Sequence, residues 1–338
     1  SGKVGALTLP KGPEWYNVSL ELQTTTKMTA DEIHQLGLDE VKRIHAEMEK
    51  IREATGFKGD LKAFFEFMRT DKQFYLPDTD EGRAKYLATA QGYLDVMYKK
   101  LPEYFGRLPK APLVVRRVEA FREVPGGAAH YYAPTPDGSQ PGIFYAHLVD
   151  MSAVSLWALE SLAYHEGVPG HHMQIAIQNE LTDIPLFRTQ YGYGAFAEGW
   201  GLYAEDLGKT MGMFTDPYND FGRLNSELWR AVRLVLDTGL HAKGWTEEEA
   251  VAWAMANSAR PASSIKSEVR RFLLWPGQAT SYKIGMIAIQ RLRDEARQEL
   301  GDKFDWKSFH DTVIDGGAMP LPVLETRVRA WIKSIKDA

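Results

Sequence analysis

The stretch "YHEGVPGHHMQIA" at residues 164–176 carries the residue types with the strongest chemical potential in this sequence. Zinc hydrolases with a His-Glu-x-x-His pattern place two histidines one helical turn apart, and the glutamate serves as general base. His165 and Glu166 match the first half of that pattern, but Pro169 occupies the position of the second histidine. Two further histidines follow Pro169, so the stretch indicates a metal site with an interrupted ligand helix.

The second ligand is either His171 or His172. On a regular helix at about 100° per residue, His171 would point about 120° away from His165. A regular helix is not expected here, because Pro169 lacks an N–H and its ring would collide with the carbonyl of His165. A wider or interrupted turn could bring either histidine round, so spacing alone leaves both open.

A third ligand is predicted in "YGYGAFAEGWGLYAEDLG" at residues 191–208. Glu198 has Phe196 and Trp200 two residues away on either side, and a buried carboxylate is costly unless it is paired or metal-bound. Glu205 lies seven residues further on, hence on the same helix face, and could accept a proton from a ligand histidine. The alternative for Glu205 is a solvated surface acid.

Two residues are candidate donors to the oxyanion of a hydrolytic intermediate. His241 lies four residues after Asp237 on a predicted helix, so Asp237 could orient its ring. Tyr282 offers a phenol near a helix start. The alternative for His241 is a histidine that interacts with a helix C-terminus, because Gly244 follows.

Two cations could bind a substrate carboxylate, namely Lys283 and Arg271. For Arg271 a salt bridge to Glu268, three residues earlier on the same helix, is an equal alternative. A di-iron bundle is not indicated, because the chain contains no Glu-x-x-His pair.

The elements that must position these residues are mainly helical. Capping boxes begin helices at Thr29 and Thr246. Between residues 112 and 149, β-branched and aromatic runs separated by turn residues predict one small antiparallel sheet. Its segment "GIFYAHLV" could offer an edge to an extended peptide. The predicted helices cover about 29–53, 61–70, 80–101, 155–178, 193–208, 215–242, 246–256, 262–274, 278–299 and 320–336.

Composition narrows the function classes. The 338 residues are 44% hydrophobic and 25% charged with a net charge of −5, which argues against a nucleic-acid partner. Cysteine is absent, so a transition metal must be held by His and carboxylates. No apolar run approaches the ~18 residues of a membrane span. The chain begins Ser1-Gly2, so we expect the natural N-terminus and any targeting segment to lie outside it.

Several spaced motifs resemble the bacterial family called domain of unknown function 885. They are "HEGVPGHHMQ" with Gln174, "EGWGLYAE", "DTGLHAKGW", "WPGQATSYKIG", "TTTKMTADEIHQLGLDEVKRIHAEM" and "YYAPTPDGSQPGIFY". The resemblance implies a mainly α, zincin-like metallopeptidase fold and favours His171 over His172 as ligand. It also implies that the chain is a single domain and the C-terminal part of a longer protein of the bacterial envelope or periplasm. This domain consists of a helical part at 1–111, the sheet at 112–149 and the metal-site part at 150–338.

Together these features predict a zinc-dependent metallopeptidase with one Zn²⁺ per chain, acting on a peptide or small amide. His165, His171 and Glu198 are the predicted ligands and Glu166 the predicted base. Glu205, Asp237, His172, Gln174, Arg271 and Lys283 are the predicted supporting or substrate-binding residues. The alternatives are a non-peptidase amide or ester hydrolase and an inactive metal-binding scaffold of the envelope.

Overall fold

The computed structural model describes residues 2, 4–124, 127 and 129–337. Within them the chain is mainly helical with one small sheet. The helices are α1 Gly12–Thr24, α2 Ala30–Ala54, α3 Leu61–Thr70, α4 Asp80–Tyr104, α5 Leu159–Glu166, α6 His171–Asn179, α7 Leu186–Gln190, α8 Gly194–Thr210, α9 Pro217–His241, α10 Glu247–Asn257, α11 Ala262–Leu274, α12 Ser281–Leu300, α13 Trp306–Ile314 and α14 Leu321–Asp337. The strands are β1 Leu113–Arg117, β2 His130–Tyr132 and β3 Gly142–Ala146.

Helix α9 lies at the centre of the fold. It is buried on most of its circumference and packs against α2, α5, α8, α10, α11 and α12. One apolar cluster groups α2, α3, α10 and α11 around α9, and a second joins α4, the sheet, α5, α6, α8 and α12–α14. None of the helices in the described part of the chain has the length and apolar character needed to cross a membrane.

Helices α8 and α12 approach each other closely through two glycines. A Cβ on Gly285 would lie 1.8 Å from the carbonyl oxygen of Ala195, and one on Gly199 would lie 2.5 Å from the Gly285 backbone. Only glycine at both positions allows this separation. The contact fixes α8, which carries Glu198, against α12, which carries Tyr282.

The sheet is mixed, so the prediction of an antiparallel sheet is wrong. The strand order is β1-β3-β2, with β1 parallel and β2 antiparallel to β3. The 24-residue connection from β1 to β3 contains β2 and is long enough for a crossover, which a parallel pair requires. Because β3 is central, "GIFYAHLV" offers no free edge, and that prediction is also wrong.

Most predicted helices are present, with two kinds of difference. The helix predicted over 155–178 is divided into α5 and α6. Helices α1, α7 and α13 were not predicted. The buried positions of α1 are Gly12, Tyr16, Leu20 and Thr24. Its apolar residues Trp15, Val18 and Leu22 are exposed, so apolar residues lie on both faces and do not mark the inner one.

Candidate metal centre

The break between α5 and α6 brings two histidine rings together. Helix α5 ends at Glu166, and the amide of its C-cap Gly167 donates to the carbonyl of Ala163, whereas α6 begins at His171. A Cβ on Gly170 would lie 2.1 Å from the carbonyl oxygen of His165, so only glycine fits in this turn. The rings of His165 and His171 lie edge to face, with centroids 4.7 Å apart.

Helix α8 adds a carboxylate to the two imidazoles. Glu198 Oε2 lies 3.6 Å from His165 Nε2 and 3.4 Å from His171 Nε2. Three ligand atoms at 2.0–2.1 Å from a tetrahedral ion would be separated by about 3.3–3.4 Å, so these spacings fit one cation. Glu198 Oε2 and His171 Nδ1 are buried without a hydrogen-bond partner among the described residues, and metal coordination of Oε2 would compensate its burial.

Glu205 orients His165. The Nδ1–H of His165 donates to Glu205 Oε1 over 2.8 Å, which leaves the Nε2 lone pair directed at the centre. Ser161 donates its hydroxyl proton to Glu205 Oε2, and Glu205 is only 2% exposed. Glu205 is therefore not a solvated surface acid.

Two contacts from α8 hold the ligand segment in place. The indole N–H of Trp200 donates to the carbonyl of Pro169 over 2.8 Å, which ties the break between α5 and α6 to α8. Gly201 lies directly against the His165 ring, since a Cβ there would be 2.8 Å from Cε1 of that ring. Helix α8 therefore supplies one candidate ligand and the surface that positions another.

Glu166 lies beside the three candidate ligands and is buried. Burial raises the pKa of Glu166, while the charges of His165 and His171 act in the opposite direction. A carboxylate with a raised pKa is suited to accept and release a proton near neutral pH. The Glu198 side chain is 26% exposed, although its Oε2 atom is buried.

Tyr282 lies within electrostatic reach of the same centre. Burial, followed by the charge of Glu198, raises the pKa of Tyr282, so its hydroxyl keeps its proton at neutral pH. The Cζ atom of Arg233 lies 4.8 Å from the Tyr282 ring centroid, and that of Arg230 lies 5.8 Å from it. The structure thus places a neutral phenol against two guanidinium groups and within electrostatic range of Glu198.

His172 and Gln174 lie outside the candidate ligand set. His172 Nε2 donates to the carbonyl of Ala111, and its Nδ1 accepts from the hydroxyl of Tyr131. Burial lowers the pKa of His172 to about 4, so this neutral histidine links α6 to the sheet. Gln174 donates to the side chain of Gln178, one turn further along α6.

His241 and Asp237 do not form the predicted pair. His241 Nδ1 accepts from the amide of Ala6, and its Nε2 donates to the carbonyl of Phe272. Asp237 Oδ1 instead accepts from Tyr16 Oη over 2.6 Å and from an amide of the loop before α12. His241 is completely buried with both ring nitrogens used, so the prediction of an oxyanion donor is wrong.

Lys283 and Arg271 are engaged in ion pairs. Lys283 is completely buried and its Nζ lies 2.6 Å from Glu227 and 2.8 Å from Glu40, so the prediction that it binds substrate is wrong. Arg271 pairs with Glu268 over 2.9 Å, which is the salt bridge that the sequence offered as the alternative to substrate binding. Its Nη1 also donates to Gln278.

Two arginines that interact with groups of the centre, Arg230 and Arg233, were not predicted. Arg230 acts electrostatically on Glu166 and Glu205, and Arg230 and Arg233 lie three residues apart on one face of α9. The signal was a pair of arginines within a helix whose other residues are mostly apolar. A solvated helix face can show the same pattern, so only the packing of α9 distinguishes arginines near the centre from arginines on the surface.

Residues 2–328 match the family described as bacterial protein of unknown function (DUF885). The chain belongs to this family. It is similar over 98% of its length to the crystal structure of a "putative lipoprotein" from Colwellia psychrerythraea, with 38% identity and a TM-score of 0.95. A "putative lipoprotein of unknown function" from Shewanella oneidensis matches 93% of this chain, with 25% identity and a TM-score of 0.78.

This DUF885 chain spans 57% and 59% of those two solved chains. A search of curated proteins finds no match to it. The similarities therefore establish a family and a fold, and the chemistry must be argued from the site.

Proposed function

We propose that this DUF885 protein is a zinc-dependent hydrolase with a zincin-like arrangement, and that it cleaves peptide bonds. The observation that carries the proposal is the convergence of His165 Nε2, His171 Nε2 and Glu198 Oε2 within 4.8 Å of one another, from three separate helices. Glu166, directly after the first ligand, supplies the base that such a hydrolase needs.

Zinc suits this donor set better than calcium or magnesium. Two imidazole nitrogens and one carboxylate oxygen form a catalytic zinc set with one position left open, whereas calcium and magnesium prefer oxygen ligands alone. One zinc ion per chain would supply a Lewis acid and lower the pKa of water at the site to about 7.

The protein's own groups then have distinct roles. Glu166 accepts a proton from the attacking water and delivers it to the leaving nitrogen. Glu205 holds the proton on His165 Nδ1 and so keeps Nε2 available. Tyr282, neutral and close to Glu198, donates a hydrogen bond to the oxyanion that forms on the substrate carbonyl.

We place this activity in the bacterial envelope. Both solved relatives are described by the words "putative lipoprotein", and a lipoprotein is held at a membrane surface by its lipid. A peptide or small amide present in that compartment is the substrate class that fits.

The test is digestion of a random peptide library by zinc-loaded protein, with products read by mass spectrometry. We expect wild-type protein to cleave and Glu166→Gln to lose at least about 100-fold in rate, as is usual when a general base is removed. Glu166→Gln should still bind one zinc ion by elemental analysis, because Glu166 is not one of the three ligands. Glu103→Gln, at a largely exposed position on α4, is the matched control.

Two outcomes would contradict the proposal. Zinc-loaded wild-type protein that leaves the whole library intact is not a peptidase. Cleavage by Glu166→Gln at the wild-type rate would remove Glu166 from its role as base.

A further inference from the structure

Four arginines interact electrostatically with one another, two of them lie against the Tyr282 ring, and none has a part in the proposed chemistry. Arg230 and Arg233 lie on α9, Arg260 precedes α11, and Arg271 lies on α11. They are called the arginine cluster below. All four are partly buried.

Negative charge within the arginine cluster is sparse. Glu268 pairs with Arg233 over 2.7 Å and with Arg271 over 2.9 Å. Arg230 and Arg260 donate instead to serine hydroxyls, those of Ser226 and Ser264. Arg230 and Arg260 therefore form no ion pair among the described residues, although Arg230 interacts electrostatically with Glu166 and Glu205. Asp237 likewise acts on Arg271 through its charge. Partly buried cations in excess are costly unless an anion joins them.

Unused hydrogen-bond donors point to the same conclusion. The Nε atoms of Arg230, Arg233 and Arg260 are buried and have no hydrogen-bond partner among the described residues. Burial, and then the charges of Arg233 and Arg230, lower the pKa of Arg260 to about 9. Both the donors and the charges would be satisfied by an anion.

Aromatic rings hold the guanidinium groups in place before any ligand binds. The Cζ of Arg260 lies 4.4 Å from the Trp229 ring centroid, and that of Arg233 lies 4.8 Å from the Tyr282 ring centroid. Cations in this position over an aromatic face are attracted by the ring. The cluster is therefore pre-organised, which lowers the cost of ordering it around a ligand.

The arginine cluster adjoins the candidate metal centre. Tyr282 lies on α12 three residues before Gly285, whose backbone packs against Gly199, the residue after Glu198. The Tyr282 ring also contacts the guanidinium group of Arg233. The charge of Arg230 also acts on Glu166. An anion held by the cluster would therefore lie next to the bond that Glu166 and Tyr282 serve.

We propose that the arginine cluster binds the free C-terminal carboxylate of a peptide, so that this protein removes residues from the C-terminal end of its substrate. The planar fork of a guanidinium matches a carboxylate in two hydrogen bonds. This inference rests on the proposed hydrolase function. The C–N bond of an amide near the C-terminus breaks, a C–O bond to water forms, and Glu166 carries the water proton to the leaving nitrogen.

The first experiment measures binding alone, on protein stripped of metal by a chelator. A random N-acetylated tripeptide pool is offered either as free acids or as C-terminal amides, and retained peptides are counted by affinity-selection mass spectrometry. We expect at least tenfold greater retention of the acids. Arg233→Gln and Arg260→Gln should abolish the difference, whereas Arg291→Gln, at a largely exposed position on α12, should preserve it.

The two pools also separate two sources of carboxylate. Amides with a C-terminal Glu or Asp residue carry only a side-chain carboxylate, and equal retention of these amides and the free acids would overturn the assignment to the C-terminus. The proposal as a whole would be overturned if all acids and amides were retained equally, or if neither acids nor amides were retained. Thermal unfolding of each variant checks folding, and relief of cation crowding should leave Arg260→Gln at least as stable as wild type.

The second experiment uses the zinc-loaded protein and matched peptides with free or amidated C-termini. We expect cleavage within the last residues of the free acids and at least about 100-fold slower cleavage of the amides. Internal cleavage of both forms at equal rates would refute C-terminal recognition while leaving the hydrolase function intact. Acid-selective binding without any cleavage would instead refute the hydrolase function alone.

Discussion

Gly201 should control zinc affinity through the position of the His165 ring. A Cβ at position 201 would lie 2.8 Å from His165 Cε1 and 3.1 Å from Nε2, whereas ordinary contact begins at 3.4 Å. The ring of Gly201→Ala would have to move by about 0.6 Å, three times the ~0.2 Å tolerance of a metal–ligand distance. The ring is only 4% exposed and is held by Glu205 and His171, so it cannot move without breaking these contacts.

We expect the zinc dissociation constant to rise about 100-fold, which corresponds to about 3 kcal/mol of binding free energy. Misorientation of a ligand alone lowers metal affinity about 10–100-fold, and here the metal–nitrogen distance is changed as well. Competition with a fluorescent zinc chelator at neutral pH measures it. Gly92→Ala is the matched control, since position 92 lies in helix α4 with nothing within 4 Å of its Cβ.

Both substitutions remove a helical glycine, and each gains up to about 1 kcal/mol of helix propensity. A difference in zinc affinity between them therefore isolates the contact with His165. Wild-type zinc affinity in Gly201→Ala would refute the reasoning, because the ring could then not be a ligand positioned by α8.

Three further outcomes follow from the structure. Glu205→Gln should weaken zinc binding 10–100-fold in the same chelator competition, because a neutral amide is a weaker acceptor for the His165 Nδ1–H. Gly285→Ala should lower the unfolding free energy by about 3 kcal/mol in chemical denaturation, because its Cβ would collide with Ala195. Burial lowers the pKa of His310 from 6.5 to about 4. The stabilisation of the folded state by neutral His310 is therefore complete above pH 6.5. As the pH falls to 4, the histidine is protonated in the unfolded chain before it is protonated in the folded one, so the free energy of unfolding decreases by about 3 kcal/mol. The loss should shrink in His310→Gln, and an unchanged pH dependence in that variant would contradict this assignment.

The sequence determined the types of group available for chemistry and the positions of most helices. Capping boxes at Thr29 and Thr246 begin α2 and α10 as predicted, because a cap depends only on residues within one helical turn. The absence of cysteine restricts any metal site to His and carboxylate ligands. Pro169 predicted an interruption after His165, since its effect on a helix is also local.

Only the tertiary structure decided which of these groups meet. Spacing alone left His171 and His172 open and only the family resemblance favoured His171; the structure places His171 against Glu198. His241 and Lys283 look like site residues in the sequence, yet packing around α9 encloses them in structural contacts. The direction of β1 relative to β3 and the assembly of the arginine cluster depend on long-range packing. No local pattern encodes such contacts, because their partners are distant in the chain.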